Sequence, residues 1–527
     1  MGVRTEAARC ALIAAAVAIP LAAFGPPPGD LPAHLYRTEL VRDGVLLWDT
    51  HWYAGHYPLL SYSLLYYFPA ALVGNEPLAV AAVVVPAALF TSLVERGWGT
   101  ETRWASRAFA VAACGPLFTG TYPYAVGVAA GLGALKALQT GRTGLAIVAA
   151  GLTMGFSPLA FLFLCLVIAA AFLVRLRIDR RTLVVGVALL AFAGLQVAVI
   201  EVFPQGAEYP FFRTIELVVL LVLATACVAL VLRAGRGRTL ALVFGLWFVA
   251  ALVTFLVPSP IGENVTRMRG LVFPLALLAA ALAGYRPRWL SVFAVGGALA
   301  YTLVPYVAAI PYKTDGRPAD EEFWRPALAF LEERSDPNFR VEVVPTGDHW
   351  EAYWLPRAGI PLARGWYRQI DIAENPLFYD EPLDSDEYRA WLARLGVRYV
   401  LLPDMQLGRA GEAREGELLR SGASGLEPVF ESATGTIFAV PDAQPILTGP
   451  GRPLLTRLAH DVVEGSVTEP GVHRLGVRFT PTWRVEAGAV CVEEADDGMT
   501  RLVVRRPGPF RLGVGLRGSG GCPAPRS

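Results

Sequence analysis

Charge is scarce in this sequence. Asp, Glu, Lys and Arg make up 17% of its 527 residues, 54% are hydrophobic, and the mean hydropathy is +0.45. A soluble protein needs more charge than that to cover its surface, so a wholly soluble chain is excluded. Basic blocks are missing as well, and the formal net charge is only +1, which gives no indication of nucleic acid or another polyanion as partner. No P-loop, no zinc-ligand spacing and no Ser/His/Asp arrangement stands out. The sequence indicates no cofactor and no metal, although a divalent ion is compatible with it. Cysteine is sparse too. Of the six, Cys10, Cys114, Cys165 and Cys227 lie in apolar blocks and read as small core residues. Cys491 and Cys522 lie far downstream and are placed to pair if that part of the chain is exported.

What is present is long apolar runs, and they stop abruptly. Up to about residue 310 they come in blocks of roughly 15–25 residues, enough to cross a ~30 Å hydrocarbon core at ~1.5 Å per residue. After Pro311 charge, proline and short alternating runs take over. The chain therefore divides into a membrane part, 1–310, and a soluble part, 311–527. The first block follows Arg4 and Arg9 and imitates a signal peptide, but Phe24 and the stiff Gly25–Pro28 run make no small-residue cleavage site. Arginine placement sets the orientation. Arg96, Arg103 and Arg107, then Arg142, then Arg175, Arg177, Arg180 and Arg181, then Arg233, Arg236 and Arg238, and finally Arg286 and Arg288 mark cytoplasmic loops. The loops around Tyr122, Ser157, Pro204 and Pro258 are arginine-poor and read as outer. Consistency with a cytoplasmic N-terminus requires that one apolar block not cross. The block 58–74, with its tyrosines and internal Pro69, is expected to be an interfacial helix. Spans are then expected at 9–25, 77–94, 104–120, 124–139, 143–157, 158–175, 182–203, 211–232, 239–257, 268–284 and 289–310. Eleven is odd, so the layout puts 311–527 outside, on the extracytoplasmic side of the cell membrane.

The long outer loop 26–57 carries Asp30, His34, Arg37, Glu39, Arg42, Asp43, Trp48, Asp49, His51, Trp52, Tyr53 and His56, including three of the six histidines in the chain. Asp30 before Pro32 is a plausible helix start, and His34 and Arg37, three apart, share a face of that helix. A second outer loop holds Glu263, Arg267 and Arg269. Outer arginines (Arg37, Arg42, Arg213, Arg267 and Arg269) are exceptions to the charge rule, and an anionic ligand at the interface accounts for them, because the guanidinium fork suits phosphate. Plainer readings stand beside this one. Asp30 could only cap the helix, the histidines could be ordinary interfacial groups, Arg267 and Arg269 could snorkel to headgroups, and the Trp and Tyr residues could form an aromatic belt.

This layout resembles the GT-C superfamily of integral membrane glycosyltransferases. More narrowly, DLPAHLYRTELVRDGVLLWDTHWYAGHYPLLSYSLLYYFPAALVG at 30–74 is similar to membrane proteins of the family called 6-pyruvoyl-tetrahydropterin synthase-related, although nothing in the chain points to pterin chemistry. YPYAVGVAAGLGAL at 122–135 and IGENVTRMRGLVFPL at 261–275 fit the same group. The stretch 363–404, from ARGWYRQIDIAENPLF to YVLLPD, is similar to actinobacterial membrane proteins. The resemblance implies sugar transfer from a polyprenyl-phosphate donor to a glycan, lipid or protein acceptor in the cell envelope. It implies Asp30 as general base, and His34, Arg37, His51, Trp52, His56, Tyr57, Glu263, Arg267 and Arg269 as the substrate-binding set. One departure is visible: many such loops carry adjacent paired acids, whereas Leu31 follows Asp30 here.

In the soluble part, strand-like runs (Arg340–Val344, Val397–Leu402, Ile437–Val440) alternate with helical stretches (Glu321–Glu333, Ser385–Leu395), which predicts an α/β domain over 311–445. Alternating runs at His473–Phe479, Arg501–Val504 and Phe510–Val514 predict a β-sandwich-like domain over 446–527. The segment Gly365–Asn375 would either line an acceptor pocket or pack at an interface. Two other functions compete with the transferase. A transporter or lipid flippase is one, although no internal repeat is seen and few ionisable groups lie deep in the spans. A GT-C-like scaffold without activity is the other.

Overall fold

The computed structural model describes residues 3–522 except 61, 176–178, 205–207, 212, 236, 311–314, 380–381 and 409. Arg177, Arg236 and Pro311, used above for orientation and for the boundary, lie outside the described residues. The chain forms two units. One comprises Met1–Pro28 and Tyr62–Pro311, the other Gly29–Ser61 and Tyr312–Ser527. The change of texture near 311 is thus a structural boundary. The first long loop, however, is built into the same unit as the C-terminal part, and within that unit the expected α/β and β-rich regions are not separate bodies.

The first unit is helical. Among the described residues, eight helices are long and apolar enough to cross a membrane: Val3–Phe24, Asn75–Trp98, Pro158–Arg175, Arg180–Val202, Thr214–Arg233, Arg238–Leu256, Gly262–Leu282 and Arg288–Ala309. They coincide with eight of the eleven expected spans, and the other three expectations meet identifiable obstacles. The block 104–120 is divided into Arg103–Ala112 and Pro116–Thr119. Gly115 lies against the Tyr306 hydroxyl there, Pro116 lacks an N–H, and Gly120 takes a left-handed conformation. Thr143–Phe156 has only 14 residues, roughly 21 Å of helix. Tyr122–Gln139 has 18 residues but contains Lys136 and Gln139.

The interfacial helix expected over 58–74 forms only over Tyr67–Val73. The backbone before it turns to residues 155–156 for its hydrogen bonds. Leu65 N–H donates to the Gly155 carbonyl at 2.9 Å and Ser63 Oγ donates to the Phe156 carbonyl at 2.8 Å.

Small residues let these helices approach closely. A methyl group at Gly127 would meet the Ala160 and Ser157 Cβ atoms at 2.8 Å. Leu12, Leu190, Val292 and other large apolar side chains remain exposed on the outer helix faces, as lipid-facing surfaces require.

Among the described residues, the second unit holds three four-stranded sheets. In the first, Arg340–Val343 runs parallel to Val397–Pro403, which pairs antiparallel with Gly435–Ala439, itself beside Glu427–Ser432. A parallel pair needs a crossover, and helices Glu351–Arg357 and Ser385–Leu395 lie in it. Tyr388, Trp391, Leu392 and Leu395 bury the latter's apolar face against Val397 and Val400. The other two sheets, both antiparallel, are built from 447–514. They are tied together by Trp483, whose indole N–H donates to Thr500 at 3.2 Å. Every strand and helix range named from the sequence in this part is present within two residues.

Cys491 and Cys522 form a disulfide, and residues 519–522 are not a loose tail. Ser519 and Gly520 donate to the Trp483 carbonyl at 3.0 Å, and Val492 donates to Gly520 at 2.7 Å. A crosslink spanning 31 residues removes enough unfolded-state entropy to stabilise the region by about 3–4 kcal/mol in the chain-entropy picture. The Cys491→Ser/Cys522→Ser double variant should lose that much, read as faster hydrogen exchange throughout 447–514. Unchanged exchange would show the tail's hydrogen bonds to be sufficient.

Candidate functional site

Within the second unit the loop Gly29–Ser61 begins with the helix Leu31–Arg42. Asp30 takes the N-cap position, but its side chain makes no capping hydrogen bond, with φ −89° and ψ −1°. The expectation that it caps the helix is therefore corrected, and Pro32 accounts for the start instead. Leu31, Ala33, His34, Tyr36, Arg37, Thr38 and Leu40 are buried. The loop then enters a narrow reversal. Asp49 and His56 exchange two backbone hydrogen bonds of 2.9 Å, and between them Tyr53, Ala54 and Gly55 all have positive φ (57°, 59° and 136°). For a tyrosine and an alanine this costs of order 1–3 kcal/mol each. The surroundings hold the reversal in place. The Tyr53 hydroxyl donates to the Gly365 carbonyl at 2.8 Å and accepts from the Tyr367 N–H at 2.9 Å, while the Arg478 N–H and Nε donate to the Ala54 and Tyr53 carbonyls at 2.8 Å.

The reversal delivers Asp49 into a cluster of imidazoles. Asp49 is fully buried, and His51, His56 and Tyr36 are 1–2% exposed. The fourth partner, His460, comes from the β-rich region. Asp49 Oδ1 lies 2.9 Å from His460 Nδ1 and 3.8 Å from His51 Nδ1, and it accepts from the His51 backbone N–H at 3.0 Å. Oδ2 accepts from the Tyr36 hydroxyl at 2.9 Å and lies 3.4 Å from His56 Nδ1. The His51 and His460 rings are 4.1 Å apart. Backbone bonds fix the approach, since Thr50 N–H donates to the His460 carbonyl and Thr50 Oγ1 to the Ala459 carbonyl, both at 2.8 Å. Only His460 keeps appreciable access to water, with 26% of its side chain exposed.

Electrostatics follow from this burial. Desolvation alone would raise the Asp49 carboxyl, but the His460 hydrogen bond and the fields of His56, His460 and His51 outweigh it and hold the carboxyl well below the usual range. Burial, reinforced by His460, lowers His51 to about 3. Burial lowers His56 to about 4 against the pull of Asp49. For His460 burial is overcome by the Asp49 hydrogen bond and by the fields of Asp49, Asp461 and Asp43, and its affinity for a proton is raised. At neutral pH, then, His51 and His56 are uncharged, and His460 is the imidazole whose hold on a proton the buried carboxylate strengthens.

The surroundings of the cluster are aromatic. Trp52 stacks on Tyr36 with ring centres 4.6 Å apart and on His56 at 5.4 Å, and its indole N–H donates to the Ala352 carbonyl at 3.0 Å. Gly365 must be glycine here, because a methyl group would meet Trp52 Cγ at 2.4 Å. The Arg37 guanidinium lies 5.8 Å from the Trp52 ring centre and 5.1 Å from that of Tyr367, an arrangement favourable to a desolvated cation. Tyr57 packs edge-on against Trp48 and its hydroxyl bonds to Thr480 Oγ1 at 3.1 Å.

Of the residues singled out from the sequence, His51, His56 and Trp52 are thus brought together, with Arg37 against Trp52. His34 is buried on the same helix as Arg37. The acid at the centre is Asp49, not Asp30. Glu263, Arg267 and Arg269 belong to the helical unit, on the 3-10 turn Gly262–Met268 and the helix that follows. Arg269 is engaged structurally there. Its guanidinium pairs with Glu216, donates to Thr266 Oγ1 at 2.7 Å and lies 5.2 Å from the Tyr301 ring centre. The segment after Gly365 is packed: Asp371 accepts from Tyr379 at 2.7 Å and from Asn375 at 2.9 Å.

Sequence reasoning noted Asp49 only as one polar residue among many and missed His460. The Asp49-Thr50-His51 spacing was the available signal, and Asp49, His51 and His460 are a set whose ligating atoms all fall within 4.8 Å of one another. No protein-family model and no curated protein matches the chain.

Proposed function

We propose that this protein is a membrane glycosyltransferase that moves a sugar from a polyprenyl-phosphate donor to an acceptor of the cell envelope, on the extracytoplasmic side. The observation that carries the reading is the fate of the first long loop. Instead of serving as a connector, Gly29–Ser61 is folded into the non-membrane unit, where it concentrates acid, imidazole, guanidinium and indole groups. The Cys491–Cys522 disulfide supports an oxidising, extracytoplasmic setting for that unit.

In this reading Asp30 is the general base. Asp49 is a poor candidate, since a carboxylate held this far below its ordinary proton affinity takes up protons badly. Asp30 is partly buried at the start of its helix and is not used to cap it. The acceptor hydroxyl gives its proton to Asp30 as its oxygen bonds to the anomeric carbon. The bond from that carbon to the phosphate oxygen breaks, and the lipid phosphate leaves as an anion with inversion. That side of the reaction needs a cation rather than an acid, and Arg37, with His34 as a further donor, lies on the helix that Asp30 begins.

The test uses the full chain in lipid nanodiscs. Mass analysis of extracted lipids should find a polyprenyl phosphate or its sugar ester. Added envelope acceptor should convert the ester to the free phosphate. Lipid extracts without polyprenyl phosphate, together with substrate-dependent flux in liposomes, would replace the transferase by a transporter.

A further inference from the structure

We infer that Asp49, His51 and His460 form a binding site for one divalent metal ion of the zinc class. The inference stands on the geometry of the second unit alone and does not depend on the transferase reading.

Three donors at the tetrahedral positions around an ion, with bonds of ~2.0–2.1 Å, are separated by roughly 3.4 Å. The Asp49 Oδ1 atom is 2.9 Å from His460 Nδ1 and 3.8 Å from His51 Nδ1, and all three ligating atoms lie within 4.8 Å of one another. The two distances measured from Oδ1 bracket that spacing. Two imidazoles and one carboxylate select zinc-class ions over magnesium or calcium, which prefer all-oxygen shells.

The surroundings hold the ligands as metal sites require. The Tyr36 hydroxyl occupies Asp49 Oδ2 at 2.9 Å, and His56 Nδ1 is 3.4 Å from the same Oδ2; Oδ1 accepts from the His51 backbone N–H at 3.0 Å and turns its second lone pair to the ion. Such outer partners fix the carboxylate's orientation. Three protein ligands leave a fourth position open, and His460, with 26% of its side chain exposed, is the member of the set that water reaches. This is the pattern of a reactive site rather than a closed structural one. The sequence could not display it, because Asp49 and His460 are 411 residues apart.

The same atoms would also serve a bare Asp49–His460 ion pair, and the experiment separates the two. Untagged full-length protein, stripped with chelator and held in detergent, is titrated calorimetrically with Zn²⁺. Co²⁺ is added in parallel and followed by its visible absorption. One ion per chain with an intense, tetrahedral-type cobalt spectrum is expected. Tyr36→Phe, which keeps the stacking on Trp52, should weaken binding about 10-fold, and His51→Asn and His460→Asn about 100-fold or more. Should the histidine variants fail to fold, the Tyr36→Phe comparison still decides. No stoichiometric uptake, or uptake whose affinity is unchanged by Tyr36→Phe or by any histidine variant that folds, overturns the assignment and leaves the ion pair.

Discussion

The Asp30→Asn protein should lose sugar transfer by about 10²- to 10⁴-fold, the range over which a positioned base contributes, while keeping its fold. Asparagine has the size of aspartate and the same tolerance for the N-cap position, but it cannot take up the acceptor proton. No capping hydrogen bond is lost, because the Asp30 side chain makes none. Single-turnover measurements with saturating donor would separate the chemical step from binding. The loss is expected in the rate at saturation, with the donor half-saturation unchanged. Asp30→Glu, which restores the carboxylate one methylene further out, should recover part of the rate. Full activity in Asp30→Asn would remove the assignment of the base while leaving the metal site at Asp49 untouched, since no ligand of that site is altered.

The helix start beside Asp30 was legible in the sequence and the surroundings of Asp49 were not, and the difference is physical. A proline two residues after an acid is a local signal, and the helix Leu31–Arg42 followed it closely. The alternation that marks half-buried strands is likewise local, which is why Gly471–Arg478 and Gly508–Val514 were found. Asp49 acquires its character from His460, and no periodicity connects two residues so far apart. The expected spans and the long apolar helices differ for a related reason. Hydropathy sees the apolarity of 104–120 but not the Tyr306 hydroxyl that presses on Gly115, nor the bonds from residues 63–65 to 155–156 that divert the block 58–74 from a helix. The Glu216 partner of Arg269 is contributed by another helix and is likewise invisible to a local pattern.

A second large effect is expected at Arg364, a residue with no sequence signal at all. It is 3% exposed and lies between two fully buried acids, Glu342 and Glu415. Its Nε donates to Glu342 Oε1 at 2.8 Å, Nη2 pairs with Glu415, and Phe378 lies 3.8 Å beneath the guanidinium. Tyr388 donates to Glu415 at 2.9 Å. One cation between two acids leaves an excess negative charge. Burial is the largest influence on both carboxyls, outweighs Arg364, and raises their proton affinities. Arg364→Met keeps the bulk of the side chain and removes the charge, leaving two carboxyls without their cation. Breaking a buried pair in this way costs about 3–5 kcal/mol. Hydrogen exchange in the strand Val397–Pro403 should report that loss in the full chain. The loss should also depend on pH in a definite direction. Both folded-state carboxyls lie above the unfolded value of ~4.3, and removing Arg364 moves them further up. Below that value folded and unfolded chains are both protonated, and the penalty is small. As pH rises through it, the unfolded chain ionises freely while the folded one resists, so the destabilisation grows towards the raised folded value. Arg364→Met combined with Glu342→Gln and Glu415→Gln should recover most of the stability and flatten the pH dependence, because neutral amides remove the uncompensated charge. A single variant that matched the parent at neutral pH would mean that water or another cation reaches these acids, and that their burial does not exclude solvent.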